Sequence, residues 1–140
     1  SKATLLAKDI FLENSVLVIR SYPGLDYRQL DLLSTPPKAV LHYLYHSATA
    51  NTLPGHHSLP EFIIKCNSQG IDVYTASYKD VTDRQYASSE VILASGAIPL
   101  MNISMEAAYM KLLLLYNQKE SDPRQLATTN LYFEILPKPL

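Results

Sequence analysis

Ser15-Val16-Leu17-Val18-Ile19-Arg20 is the stretch that decides the fold. Four successive apolar residues with no polar alternation are the pattern of a strand covered on both faces. Strands of that kind belong to parallel sheets with helices on either side. Tyr22-Pro23-Gly24 ends the strand, because proline has no N–H for the ladder and glycine permits the turn. Working outward, similar apolar runs lie at Ala39–Tyr45 and Ile71–Ala76. Helix signals fall between and after them. Asp26 with Gln29 predicts a short helix carrying Leu30, Leu32 and Leu33, stopped by Pro36-Pro37. Ser58 with Glu61 is the cleanest capping box, opening a helix over 59–68 with Gly70 as its left-handed cap. Further helices are predicted over 86–95, closed by Gly96, from Ser104 to Tyr116, and from Asp122-Pro123.

This alternation predicts an α/β fold. It reads as a small three-layer, Rossmann-like domain over 15–140, with a mainly parallel sheet of about four strands flanked by helices. Residues 1–14 form a polar-apolar lead-in, and a chain that starts this way reads as a piece of a longer protein. The 140 residues suffice for one domain with a substantial core. Twelve basic against thirteen acidic residues remove any bulk electrostatic reason to expect nucleic acid or an anionic membrane. Cys66 has no second cysteine to pair with, and its place on a helix's apolar face reads as a small core residue.

The loops leading from strand to helix are the long, polar ones, at 46–57 and 77–85. In open parallel sheets ligands sit outside the carboxyl ends of the strands, so a site is expected on that edge. Several chemistries are absent there. No G-x-G-x-x-G turn or P-loop follows the first strand, no acidic residue ends it, and there is no G-x-S-x-G elbow. His56-His57 are adjacent, while His42 and His46 lie on or beside a strand. With no H-x-H or H-E-x-x-H pattern, solvated loop histidines are the better reading and no metal site is expected. What remains is the small-residue loop Ser47-Ala48-Thr49-Ala50-Asn51-Thr52, where Asn51 has an amide able both to donate and to accept. An ordinary turn asparagine is the competing reading.

Five segments resemble the C-terminal domain of bacterial type I L-asparaginases. Val18-Ile19-Arg20-Ser21-Tyr22-Pro23-Gly24 is similar to the family's xxYPG strand, and Lys38-Ala39-Val40-Leu41 with Ala50-Asn51 to its KALIL…GxGN segment. Tyr86-Ala87-Ser88 through Ala94-Ser95-Gly96-Ala97-Ile98 resembles YATG…AGVI. Asn102-Ile103-Ser104-Met105-Glu106-Ala107-Ala108 with Lys111-Leu112 resembles DMTxEAxxxKL, and Asn130-Leu131 with Glu134 the closing NLxGE. The sequence departs from the pattern where the family's two glycines before the asparagine are Ala48 and Ala50.

The resemblance implies a cytoplasmic, homo-oligomeric amidohydrolase that converts L-asparagine and water to L-aspartate and ammonia without a cofactor. It also implies that the catalytic threonine lies in an amino-terminal domain outside this chain, so no catalytic residue is expected here. Asn51 falls on the family asparagine that approaches substrate bound by a neighbouring subunit. Asp83 is the nearest match to an acidic residue with a similar role after the third strand. Two other classes remain open: a non-catalytic ligand-binding or protein-interaction module, and a subunit of a tRNA-dependent amidotransferase.

Overall fold

The computed structural model describes residues 15–44, 50–78, 87–117 and 122–128. Four strands, β1 (Val16–Arg20), β2 (Ala39–Tyr43), β3 (Asp72–Tyr78) and β4 (Ile98–Met101), form one sheet in the order β1-β2-β3-β4. All three pairings are parallel. Val16 faces Ala39 and Ala39 faces Asp72, so the amino ends are aligned across β1, β2 and β3. The α/β architecture is therefore the one the sequence predicts.

Four helices accompany the sheet: α1 (Leu59–Ser68), α2 (Ala87–Ala94), α3 (Met105–Tyr116) and α4 (Pro123–Ala127). Right-handed crossovers between strands added in one direction must all lie on one face. The core follows that rule. Ile19, Val40 and Val73 from the sheet pack with Phe62, Ile63 and Cys66 of α1 and Ile92 of α2. On the opposite face Val16, Leu41 and Tyr74 pack with Ala108, Leu112 and Leu115 of α3 and Ala127 of α4. Residues 40 and 41 thus serve two different cores, which is why β2 carries no polar alternation.

The helix expected after Asp26 is instead a single 3-10 turn, Tyr27–Gln29, and the chain is already extended at Leu30. Asp26 caps it by accepting the Arg28 N–H, not that of Gln29. The apolar triad is divided, with Leu32 buried while Leu33 stands 80% exposed, so no continuous stripe sustains a longer helix. β4 is a strand to which no segment is assigned from sequence. It contains Pro99, which is tolerated because among the described residues β4 is an edge strand, with a ladder partner on one side only. Gly96 makes the sharp entry into β4 with φ at +109°, and a Cβ there would lie 2.5 Å from Asn67 Nδ2 on α1.

The amino-terminal edge of the sheet is closed by side chains. Tyr74 and Tyr116 hydroxyls lie 2.6 Å apart, and Tyr116 donates to Asp72 Oδ2 at 2.6 Å. Tyr74 is therefore the donor to Tyr116. Arg124 grips the other carboxylate oxygen through Nε at 2.9 Å and Nη2 at 2.7 Å. Asn117 adds bonds to Ser15 Oγ and the Leu113 carbonyl, and Lys38 Nζ reaches the Tyr116 carbonyl. Burial and the Asp72 carboxylate push the Tyr116 hydroxyl well above the ordinary phenol range, and burial raises Tyr74 to about 12.

Candidate functional site

The carboxyl ends of β1 and β2 are where the described part of the strand-to-helix loops gathers. Tyr22-Pro23-Gly24-Leu25 is a tight turn with Leu25 N–H donating to the Tyr22 carbonyl at 3.1 Å. Proline at its second position and glycine at its third, with φ at +87°, are the residues a type II turn demands. This turn, with Tyr27, Asn51 and His57, lines a cleft of about 70 Å³. That is room for roughly two waters at about 30 Å³ each, and less than a whole amino acid needs.

The segment after residue 50 is fastened to α1 from several points. Asn51 Oδ1 accepts the Leu53 N–H at 2.9 Å, forming an Asx turn, and the Asn51 carbonyl accepts from Leu59 at 2.9 Å. Ser58 caps α1 by accepting the Glu61 N–H at 3.3 Å. Glu61 does not close the expected capping box. Its Oε2 instead accepts the Gly55 N–H at 2.6 Å, while Ser58 N–H donates to the Gly55 carbonyl. The carboxylate that the sequence places as a helix cap therefore ties the loop bearing Asn51 to the helix.

Two histidines fix the other side of the cleft. His57 is exposed, as a loop histidine should be, but its Nδ1 donates to the Leu25 carbonyl at 2.7 Å. His42 corrects the expectation of solvated histidines: it is wholly buried on β2. Its Nδ1 donates to its neighbour's carbonyl at Tyr43 (3.1 Å), leaving Nε2 to accept the Tyr27 hydroxyl at 2.7 Å. Desolvation lowers its pKa to about 4, so the ring is neutral at physiological pH. Tyr27 also stacks on Phe62 with ring centroids 4.4 Å apart. A chain of contacts thus runs from the sheet interior through Tyr27 to the cleft. The spacing of fifteen residues between Tyr27 and His42 hides this pairing from any local sequence signal.

Beside the cleft, Arg20 donates to Met105 Sδ at 3.0 Å and lies 5.4 Å from the centre of the Tyr43 ring. The Tyr43 hydroxyl is buried without a hydrogen-bond partner among the described residues, and burial raises its pKa to about 12. Asn102, at the carboxyl end of β4, adopts φ of +50°, a left-handed conformation that asparagine tolerates.

Among the described residues the arrangement offers hydrogen-bonding groups and no poised nucleophile. Ser58 and Ser104 accept from backbone N–H groups at helix starts, while Ser68 and Ser95 donate to carbonyls. Cys66 lies fully buried in the α1 core, where desolvation pushes its thiol up to about 11. None of these has an imidazole or carboxylate positioned to activate it. No group of three His, Cys, Asp or Glu converges among the described residues, and no helix among them is long and apolar enough to cross a membrane. Asn51 lines the cleft. Asp83, His46 and the loop over 79–86 lie outside the described residues.

The strand order sharpens the meaning of the site. Open α/β sheets bind ligands where the strand order reverses and two loops diverge. A sheet running β1-β2-β3-β4 has no such reversal. Among the described residues its carboxyl edge therefore offers groups at a surface and no enclosed crevice.

Among solved structures, the fold is similar to that of L-asparaginase I from Vibrio cholerae O1 biovar eltor, with TM-score 0.71 and 22% identity over 89% of this chain and 39% of that one. It is equally similar to the thermostable L-asparaginase from Thermococcus kodakarensis, with TM-score 0.71 and 22% identity over 90% of this chain and 39% of that one. The likeness is one of fold, and the chain spans about two-fifths of the length of these neighbours. No protein-family model and no curated protein matches the sequence.

Proposed function

We infer that this chain is the carboxyl-terminal α/β domain of an L-asparaginase-like amidohydrolase, and that it supplies Asn51 to an active site completed by another polypeptide surface. The observation that carries this reading is the unfinished cleft. An amide fixed by its own Asx turn stands at the edge of a pocket too small for a whole amino acid. Among the described residues no nucleophile is poised beside it, and their sheet lacks the reversal that would complete a crevice. The fold likeness to two asparaginase chains of greater length supports the same division of labour.

In the parent reaction water adds across the side-chain amide of L-asparagine, the C–N bond breaks, and ammonia leaves L-aspartate. The nucleophile and its base belong to the amino-terminal domain. Asn51 contributes a hydrogen bond to the charged amino or carboxylate end of the substrate held by a neighbouring subunit, with Asp83 as a second contact. The parent protein is then a cytoplasmic homo-oligomer that needs no cofactor.

Steady-state kinetics on the parent protein test the reading. Losing one hydrogen bond to a charged group costs about 1.5–3 kcal/mol, so Asn51→Ala is expected to lower kcat/KM about ten- to hundredfold. Asn51→Asp is expected to be worse if the substrate carboxylate is the partner, because it adds like charge in a partly desolvated site. An unchanged kcat/KM in both variants removes Asn51 from the site.

A further inference from the structure

The bonds around residues 51–58 show how the Asn51 amide is kept in its place. Asn51 accepts twice at 2.9 Å, through Oδ1 from the Leu53 N–H and through its carbonyl from the Leu59 N–H. The second bond closes the segment on the start of α1. Its middle is held at Gly55, whose N–H donates to Glu61 Oε2 at 2.6 Å and whose carbonyl accepts the Ser58 N–H at 3.1 Å. The next residue braces the segment against the wall of the cleft, its His56 carbonyl accepting the Tyr27 N–H at 3.0 Å. Glu61 is the unusual member of this set. A glutamate in this position of a helix ordinarily turns back to the N–H of the capping residue. Here the Ser58 N–H is already taken by the Gly55 carbonyl, which frees the carboxylate to reach Gly55 instead. Glu61 is exposed, and among the described residues it makes no ion pair. Its charge is spent on a backbone N–H, the stronger, charge-assisted kind of hydrogen bond.

We propose that Glu61 is a positioning residue for Asn51. Its carboxylate, acting through Gly55, holds the Asx turn and so keeps the Asn51 amide where it meets the charged end of the substrate. The inference rests on the role proposed above for Asn51, and it adds a residue of α1 that itself touches no substrate. The kinetic consequence differs from that of a merely structural glutamate. A hydrogen bond to the charged end of the substrate is made in the ground state and the transition state alike, so loosening it raises KM and leaves kcat. A structural glutamate, when lost, lowers the fraction of folded enzyme, which reduces the apparent kcat and leaves KM.

The experiment has two arms. In the 140-residue chain, amide hydrogen exchange is followed by nuclear magnetic resonance at Leu53, whose N–H reports the Asx turn, and at buried Val40 and Val73 of the sheet. Glu61→Ala is expected to speed exchange at Leu53 about three- to tenfold and to leave the two valines unchanged. Glu61→Gln keeps an acceptor oxygen and is expected to restore most of the protection. An unchanged Leu53 rate in Glu61→Ala overturns the proposal, and so does an equal acceleration at all three amides. In the parent protein, Glu61→Ala is expected to raise KM about three- to tenfold with kcat within about twofold, and to add little in an Asn51→Ala background. A fall in kcat at constant KM assigns Glu61 to structure and overturns the proposal. A KM effect that persists undiminished without Asn51 overturns it as well. The Asn51→Ala enzyme alone decides which idea has failed. A raised KM there without one in Glu61→Ala removes Glu61 only, whereas unaltered kinetics in Asn51→Ala remove the role of Asn51 and that of Glu61 with it.

Discussion

The two edges of the sheet treat polar side chains in opposite ways. At the amino-terminal edge Asp72, Tyr74, Tyr116 and Arg124 answer one another in a closed chain of bonds between 2.6 and 2.9 Å. At the carboxyl-terminal edge Asn51 and His57 are held just as firmly, but each by only one of its two polar ends. Holding a side chain rigid while leaving one end unanswered is what pre-organised recognition requires, since little entropy is lost when a ligand arrives. The first edge serves the stability of the domain, and the second carries the contacts proposed for a ligand.

Substitutions should divide the same way. The largest stability loss is expected from Asp72→Ala, which leaves the half-buried Tyr116 hydroxyl, itself the acceptor for Tyr74, without its own acceptor. A cost of about 2–3 kcal/mol is expected in chemical denaturation, with little of it from Arg124, whose side chain is 67% exposed. A loss below about 1 kcal/mol would break the contrast between the edges.

A pH titration of stability probes the link between the sheet and the cleft. His42 has a folded pKa of about 4 against an ordinary 6.5, so the unfolded chain binds the extra proton more readily. Its contribution is complete above about pH 6.5 and is lost as pH falls toward 4, amounting to about 3 kcal/mol across that window. Urea midpoints followed between those limits should show the slope, and His42→Phe should flatten it. Asp26 and Asp31 are both held below the usual carboxylate range, by Arg28 and by backbone and side-chain bonds to Ser34 respectively. Their contributions are lost only at lower pH, below the window of His42.

Gly96→Ala should cost about 1–2 kcal/mol, because it combines an unfavourable φ with the approach to Asn67. Repeating it in an Asn67→Ala background separates the two causes, since only the crowding disappears. The smallest stability change belongs to Asn51→Ala, about 0.5–1 kcal/mol from one exposed turn bond. Set beside the expected loss of kcat/KM in the parent protein, that small value is the sharpest statement of the contrast. A large stability loss with little kinetic change would assign Asn51 to structure.

Sequence reading reached the features governed by short-range rules. Val16–Ile19 announces a parallel strand in its own composition, although the cover on both faces is incomplete, with Val18 39% exposed; Ser58 stands three residues before the N–H it caps, and Pro23-Gly24 dictates its turn. It did not reach features that depend on a distant partner. His42 sits in an apolar run that gives no clue to its face, and its hydroxyl partner comes from Tyr27 on another element. β4 carries a proline that would be costly in a central strand and is harmless at an edge, and edge position is a tertiary fact. The Asp26 segment has a helix's opening residues but not the continuous apolar stripe to extend it. At the candidate site, Asn51 stands out in the sequence because it is alone among small residues. The His57 bond to the Leu25 carbonyl is not legible there, because it spans 32 positions.

The uninterrupted strand order also bears on how the chain acquires its structure. Each sheet pairing joins strands that are consecutive in sequence, so none has to await a segment from the far end of the chain. Loop-closure entropy is met in three modest steps, one for each parallel crossover. The β1–β2–β3 layer with α1 is complete in sequence well before α3 and α4 cover its second face. On a ribosome that face stays bare until residue 116 has cleared the exit, with Leu41 and Tyr74 open to water or to a chaperone in the meantime. Arrival of Tyr116 at Asp72 then acts as the closing clasp. Mutations at that clasp should accelerate unfolding and leave the folding rate nearly untouched, a partition that stopped-flow kinetics on Asp72→Asn can measure.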